Sequence, residues 1–211
     1  MSISPRDPSP RYRTRRLTLG HRRKVTLRAI TAADAAEIVQ AFERLSADSR
    51  YQRFMQHKKR VDQAALDRGV RPVPGHEFAF VTTVPAADGI DIVGAARYVR
   101  ADDEHGKGQG KAGRSGNSCE FAITVAEDWR GSGLATALLA SLIRRARHDG
   151  YRTMQGLVFA GNAPMLALAR RLHFTVELQP GDGTIVRVVR DLRGAPPRRP
   201  RRALGRRDIA S

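Results

Sequence analysis

Two stretches of the chain concentrate groups fit for binding or catalysis. Residues 129–139 read WRGSGLATALL and follow CEFAITVAED, which alternates as a strand does. Gly131 and Gly133 let the backbone turn tightly and admit a ligand where a Cβ would stand. The apolar helix that starts at once presents unpaired N–H groups and the positive end of its dipole. Such a corner suits a phosphate or a diphosphate, although glycines between a strand and a helix also serve as a plain turn. The second feature is Glu120, an acid inside an otherwise apolar strand. Alternation sets it on one face with Ala122 and Thr124, opposite Cys119, Phe121, Ile123 and Val125. Partial burial would suit it to act as a general base; a solvent-facing or salt-bridged Glu is the structural alternative. Glu77, at the start of another strand, is a rival.

Other groups point elsewhere. The single cysteine, Cys119, reads as an inert buried side chain more readily than as an acyl-accepting nucleophile, and one cysteine excludes an internal disulfide. The six histidines show no metal-ligand spacing, so no metal is expected, and His173 reads as a helix terminator. Arg50, Arg53, Phe54 and Met55 lie on early helices, either as ordinary core and surface residues or as elements of specificity.

The secondary structure around these residues follows from periodicity and punctuation. Val25–Ile30 alternates as a strand, and Thr31-Ala-Ala-Asp34 has the form of a capping box, opening a helix to about Leu45. Ser46–Asp67 predicts one or two short helices. Glu77–Val84 and Ile90–Val99 form a hairpin about the turn residues 85–89. Residues 101–118 contain no large apolar side chain and read as a mobile loop. Cys119–Val125 is a strand, Leu134–His148 an amphipathic helix ended near Gly150, and Thr153–Ala160 a strand. Asn162-Ala-Pro164 is the capped start of another helix. Phe174–Gln179 and Thr184–Leu192 close the chain as a hairpin. The result is a mixed α/β domain with a strand–helix–strand crossover over residues 119–160.

Charge bounds the partners. Of the net +17, residues 1–30 carry +8 and residues 187–211 carry +7, so the middle of the chain holds only +2. Residues 1–24 therefore read as a basic flexible arm, residues 25–192 as the folded domain and residues 193–211 as a basic disordered tail. Solvated tails are the simpler reading, and nucleic-acid binding through them is an alternative that is not favoured. No window approaches the roughly 20 apolar residues of a membrane span, and the N-terminus lacks an apolar signal core. A cytoplasmic protein without membrane contact is expected.

Tested against phosphate-binding patterns, the corner lacks the Gly-Lys-Ser/Thr ending of a P-loop, and a dinucleotide fingerprint fails at Thr136 and at the position of Asp149. Arg130-Gly131-Ser132-Gly133-Leu134-Ala135 instead matches an R/Q-x-x-G-x-G/A signature. With the strand before it and the Asn-led segment Asn162–Phe174 after it, residues 25–192 resemble the GNAT superfamily of N-acetyltransferases. Leu45–Phe54 and Glu120-Phe121-Ala122 add a similarity to the acetyltransferase domain of bacterial Pat-type protein lysine acetyltransferases.

The resemblance implies a mostly antiparallel mixed central sheet flanked by helices and a reaction that moves acetyl from acetyl-CoA directly to an amine, such as a protein lysine. A small-molecule amine is the enzymatic alternative, and a non-catalytic acyl-CoA sensor lies outside catalysis. It further implies that Arg130, Gly131, Ser132, Gly133, Leu134 and Ala135 hold the diphosphate of acetyl-CoA. Backbone groups of Ile123, Thr124 and Val125 would pair with the pantetheine arm, the Val125 amide would steady an oxyanion, and Asn162 would reach the co-substrate. Glu120 would be the catalytic base. Members of the superfamily often dimerise, so a homodimer is one expectation. Two positions depart from the pattern: His173 stands where Gly usually precedes Phe174, and Ala169 stands where many members place a Tyr general acid.

Overall fold

A computed structural model describes residues 12–101, 117–179 and 182–194. The elements run β1 (Arg15–Thr18), β2 (Lys24–Ala29), α1 (Ala35–Glu43), α2 (Ala47–Phe54), α3 (Gln63–Gly69), β3 (Glu77–Ala86), β4 (Gly89–Arg100), β5 (Ser118–Val125), α4 (Leu134–His148), β6 (Thr153–Phe159), α5 (Ala163–Arg171), β7 (Thr175–Gln179) and β8 (Asp182–Asp191). One eight-stranded sheet has the order β1-β2-β3-β4-β5-β6-β8-β7. Every pairing is antiparallel except β5 with β6, the pair joined through α4.

Local chemistry sets the ends of these elements. Asp34 accepts from the Thr31 amide at 2.7 Å and takes both arms of Arg28 at 2.6 and 2.8 Å, so one nearly buried carboxylate closes the capping box of the turn that leads into α1 and ties that turn to β2. In α4, Leu134, Leu138, Leu139 and Leu142 are fully buried against the sheet. Each such leucine stabilises the fold by about 1.5–3 kcal/mol relative to exposure. Packing is tight beneath them: a Cβ at Gly94 of β4 would lie 2.8 Å from Thr82 Oγ1 and 2.9 Å from Leu138 Cδ1. Helices α4 and α5 both end in a Schellman turn. Tyr151 N donates to Ala146 O with Gly150 at φ 88°, and Phe174 N donates to Ala169 O with His173 at φ 60°.

The N-terminal segment differs from the expected arm. Residues 15–18 form the edge strand β1, Tyr12 sets its ring edge-on to Phe80 at 4.5 Å, and Gly20 N donates to Ser132 O at 2.9 Å. Strand β1 is short and carries Arg15 and Arg16 beside a single half-buried Leu17, and charges of this kind guard a sheet edge while hiding its strand character in the sequence. Most of the expected 101–118 loop and of the 193–211 tail lies outside the described residues.

Candidate active site

The corner after β5 is built by two left-handed glycines. Gly131 has φ 73° and Gly133, the N-cap of α4, has φ 88°; an added Cβ would meet no atom within 4 Å at either. Conformation rather than crowding therefore demands glycine here. Ser132 between them is buried and structural, its Oγ donating to Trp129 O at 2.6 Å and accepting from Leu134 N at 3.3 Å. The first helical bond runs from Ala137 N to Gly133 O. Among the described residues the amides of Gly131, Gly133, Ala135 and Thr136 have no acceptor, which leaves four donors at the positive end of α4. Arg171 of α5 donates to Thr136 Oγ1 and brings a cation to this first turn. Four free donors, a helix dipole and a cation form an anion site suited to a diphosphate.

Arg130, expected at the same anion, is held elsewhere. Its guanidinium donates to Ser49 Oγ at 2.5 Å and lies 4.0 Å from Glu127. Glu127 also accepts from Ser46 N and Ser49 Oγ, each at 2.9 Å. Hydrogen bonds from Ser46, then Ser49, with the charge of Arg130, push the Glu127 pKa down to about 2. The first turn of α2 is thus anchored beside the corner. Arg23 lies 3.5 Å from the centroid of the Trp129 ring and donates to Asp128 O at 2.5 Å, bracing the turn from the other side.

Next to the corner the sheet opens. Strands β5 and β6 pair only at Ser118↔Thr153, Cys119↔Met154 and Glu120↔Gln155. Beyond Glu120, β5 stays with β4 to Val125 and β6 stays with β8 to Phe159, so the two strands part. Ala126 N donates toward β4, to Val93 O at 2.9 Å. Successive amides of a strand point to opposite edges, so the N–H groups of Val125 and Ile123 face the opening while that of Thr124 faces β4.

Glu120 sits at the apex, in the last pair before the strands separate, and is half-buried. The register places Ala122 and Thr124 on its face, with Arg97 of β4 opposite Ala122 and therefore diagonal to Glu120. Glu77 pairs with Val99, which pairs with Glu120. The rival acid thus lies two strands away, about 10 Å by strand spacing, and away from the opening.

On the same face, between the sheet and α1–α3, lies a cavity of about 210 Å³ walled by Phe42, Phe54, Leu66, Ala95, Ala122 and Thr124. That is more than ten times the roughly 10–15 Å³ that admits one water, so it is space for a ligand rather than packing slack. Helix α2 spans the mouth of the opening. Its N-terminus holds Glu127 after β5, while Tyr51 stacks at 5.0 Å on Phe159, the last residue of β6, and Gln52 Oε1 accepts from Asn162 Nδ2 at 3.2 Å just beyond that strand.

The remaining expected residues divide clearly. Asn162 Oδ1 accepts from Met165 N at 3.1 Å, so the residue is the cap of α5. Cys119 is fully buried, its thiol pKa raised by burial and then by Asp149, which fits an inert side chain. Ala169 is also fully buried. Phe54 and Arg53 line the cavity, and Met55 ends α2 at φ 54°. Sequence reasoning missed Arg97, Arg171, Tyr51 and the Ser46, Ser49 and Glu127 cluster. The spacing Ser46-x-x-Ser49 is an N-cap signal that could have revealed the last of these.

The family model described as Acetyltransferase (GNAT) domain matches residues 24–175. Acetyltransferase PA5475 of Pseudomonas aeruginosa is 32% identical over 164 residues, 78% of this chain and 82% of that protein. The L-methionine sulfoximine/L-methionine sulfone acetyltransferase of the same species shares 42% identity over 60 residues, 28% of this chain and 35% of that protein. Among solved structures, the GNAT domain of S. lividans PAT aligns with TM-score 0.73 at 24% identity, covering 84% of this chain and 96% of that one. The yncA protein of Salmonella typhimurium, solved with its cofactor acetyl-CoA, aligns with TM-score 0.60 at 21% identity, covering 82% and 97%.

Proposed function

The chain belongs to the GNAT family and is an acetyl-CoA-dependent N-acetyltransferase; from that premise we propose that its acceptor is a protein lysine, with Glu120 as the general base. The observation that carries this reading is the place of Glu120, at the apex where β5 and β6 part and on the face that looks into the apolar cavity.

Acetyl-CoA, when bound, supplies the thioester carbonyl that a neutral amine attacks. The four unpartnered amides at the start of α4, with Arg171, hold the diphosphate. Gly131 and Gly133 keep those amides aimed outward, Ser132 fixes the turn from beneath, and Arg130 acts through α2 as a brace with its charge nearby. Outward groups of Ile123 and Val125, with Thr124 between them setting the pleat, line the pantetheine path, and the Val125 N–H is a donor for the oxyanion. Asn162 orients α5 at the far edge of the opening.

A lysine of pKa near 10.4 is protonated at pH 7, and releasing that proton costs on the order of 4.6 kcal/mol. Glu120 accepts it, directly or through one water, as the amine nitrogen bonds to the carbonyl carbon. Ala169 has no proton to give to the departing sulfur, so solvent supplies it. The apolar cavity favours the neutral amine over the ammonium form in the same direction.

A second reading, a small-molecule amine acceptor, draws on the name of the L-methionine sulfoximine/L-methionine sulfone relative. The test is thiol release from acetyl-CoA by wild type and Glu120→Gln against lysine peptides and small amines, with mass spectrometry of the product. The expected loss on Glu120→Gln is about 10²–10⁴-fold in kcat at an unchanged Kd for acetyl-CoA. Retention of rate within tenfold would remove Glu120 from the base role, and turnover of small amines alone would replace the lysine acceptor.

A further inference from the structure

We propose that the acceptor lysine reaches Glu120 through the apolar cavity under α1–α3 and that acidic residues flank it, held by a basic rim on α2 and the segment after it. This rests on the lysine reading above and adds the chemistry of the sequence around that lysine.

The cavity has an apolar interior and a charged boundary. Its floor is Ala95, Ala122 and Thr124, so it runs along the face of β5 on which Glu120 lies two residues beyond Ala122. A linear aliphatic stem ending in an amine suits such a passage. The charged residues at its boundary on the α2–α3 side are Arg53, Lys58 and Asp62. Asp62 is committed to capping α3, its carboxylate accepting from Ala65 N at 2.7 Å.

The rim is cationic beyond that boundary. Residues 50–60 hold Arg50, Arg53, Lys58, Lys59 and Arg60 and no Asp or Glu, in a chain whose middle is otherwise close to balanced. Two aromatic rings, Phe42 and Phe54, pack at 5.7 Å and roof the cavity. Arg50 lies 5.2 Å from the Phe42 ring, and Arg53 and Lys58 lie 4.9 and 5.1 Å from the Phe54 ring. Their charged ends thereby lie over the aromatic roof of the cavity. Among the described residues no carboxylate lies within salt-bridge distance of Arg50, Lys58, Lys59 or Arg60. An apolar passage whose rim carries Arg50, Lys58, Lys59 and Arg60 selects an amine whose surroundings are anionic and repels one in a basic sequence.

Each exposed pair of this kind is worth up to about 1 kcal/mol, or roughly fivefold. Two contacts therefore give up to about 25-fold between acidic and neutral flanks at low salt, shrinking as salt screens them. The test uses the full chain, saturating acetyl-CoA and three peptides with one central lysine flanked by Asp and Glu, by Ser and Ala, or by Arg. The expected order of kcat/KM is acidic, neutral, basic, with the acidic advantage falling in 0.5 M salt. The double variant Lys58→Glu, Lys59→Glu should flatten or invert that order without moving the Kd for acetyl-CoA. Ala65→Phe, which projects a ring into the cavity from α3, should raise KM for every peptide at an unchanged acetyl-CoA Kd. Equal kcat/KM across the three peptides, or an order untouched by the double variant, overturns the acidic-flank proposal while leaving the lysine reading in place. If Ala65→Phe spares the peptides but abolishes use of propionyl- and butyryl-CoA, the cavity holds the acyl chain instead and the proposal fails. If no peptide is acetylated while small amines are, the lysine reading itself has failed and this inference falls with it.

Discussion

Replacing Gly133 with Ala separates backbone conformation from every other property of the phosphate corner. The residue has φ 88° and ψ 1° as N-cap of α4, and a Cβ there would touch nothing within 4 Å. No steric clash contributes, so the perturbation is conformational. Holding an L-residue in the left-handed region costs roughly 1–2 kcal/mol, from which about 0.4–1 kcal/mol is recovered by restricting the unfolded chain. The midpoints leave a net destabilisation of about 0.8 kcal/mol, and at about 2–4 °C per kcal/mol for a chain of this size Tm should fall by roughly 2–3 °C. If the backbone relaxes instead, residue 133 swings toward the extended N-cap conformation and the amides of Gly133 and Leu134 rotate. The strain then vanishes and at least one charge-assisted hydrogen bond to the diphosphate goes with it, worth about 1.5–3 kcal/mol, or roughly 10–150-fold in the Kd for CoA. Calorimetric Kd for CoA and a thermal melt, measured on the same preparation, distinguish the two routes. A variant with both Tm and Kd unchanged would refute the argument that positive φ at this position creates the anion site.

Three further predictions follow from single features. His173 fills a Schellman position that Gly150 fills on the preceding helix, so His173→Gly should raise Tm by roughly 2–4 °C, for about 1 kcal/mol of relieved strain; a fall would show that the His173 side chain stabilises the turn. Asp34→Ala strips a partly buried Arg28 of its partner and the turn leading into α1 of its capping box, an expected loss of about 2–3 kcal/mol seen as a Tm drop of roughly 4–12 °C, and a drop under 2 °C would contradict the pairing. Glu127 has a folded pKa of about 2 against an ordinary 4.5, so the anchoring of α2 is complete above pH 4.5 and is lost as pH falls through about 2. Trp129 is the sole tryptophan and is buried in the same turn, so its fluorescence should hold steady down to about pH 4.5 and change below it. That change should be absent as a separate step in Glu127→Gln, and a midpoint at or above 4.5 in the wild type would break the assignment.

Much of this protein is determined by local chemistry that the sequence displays. Alternation marked β2 to β8, the Thr31 to Asp34 box marked the start of α1, and Asn162 with Pro164 marked the start of α5, because each depends on neighbours within a few residues. Gly131 and Gly133 announced the corner for the same reason, since a left-handed turn is written in the residue that must adopt it. Strand β1 stayed hidden because its charge and brevity, which suit an edge, look like a flexible arm until β2 is seen to pair with it. The parting of β5 from β6 after Glu120 could not be read from either strand, because it depends on which partner each keeps. The capture of Arg130 by Ser49 joins residues 81 positions apart, and the bridging of the opening by Tyr51 and Gln52 joins α2 to the end of β6. Residue types and their local spacing suffice to locate the groups able to do chemistry and the elements that carry them. Which of those residues share a cavity and which are held away from it emerges from the assembled sheet, because long-range pairing is selected by the burial of the whole sheet and not by any one segment.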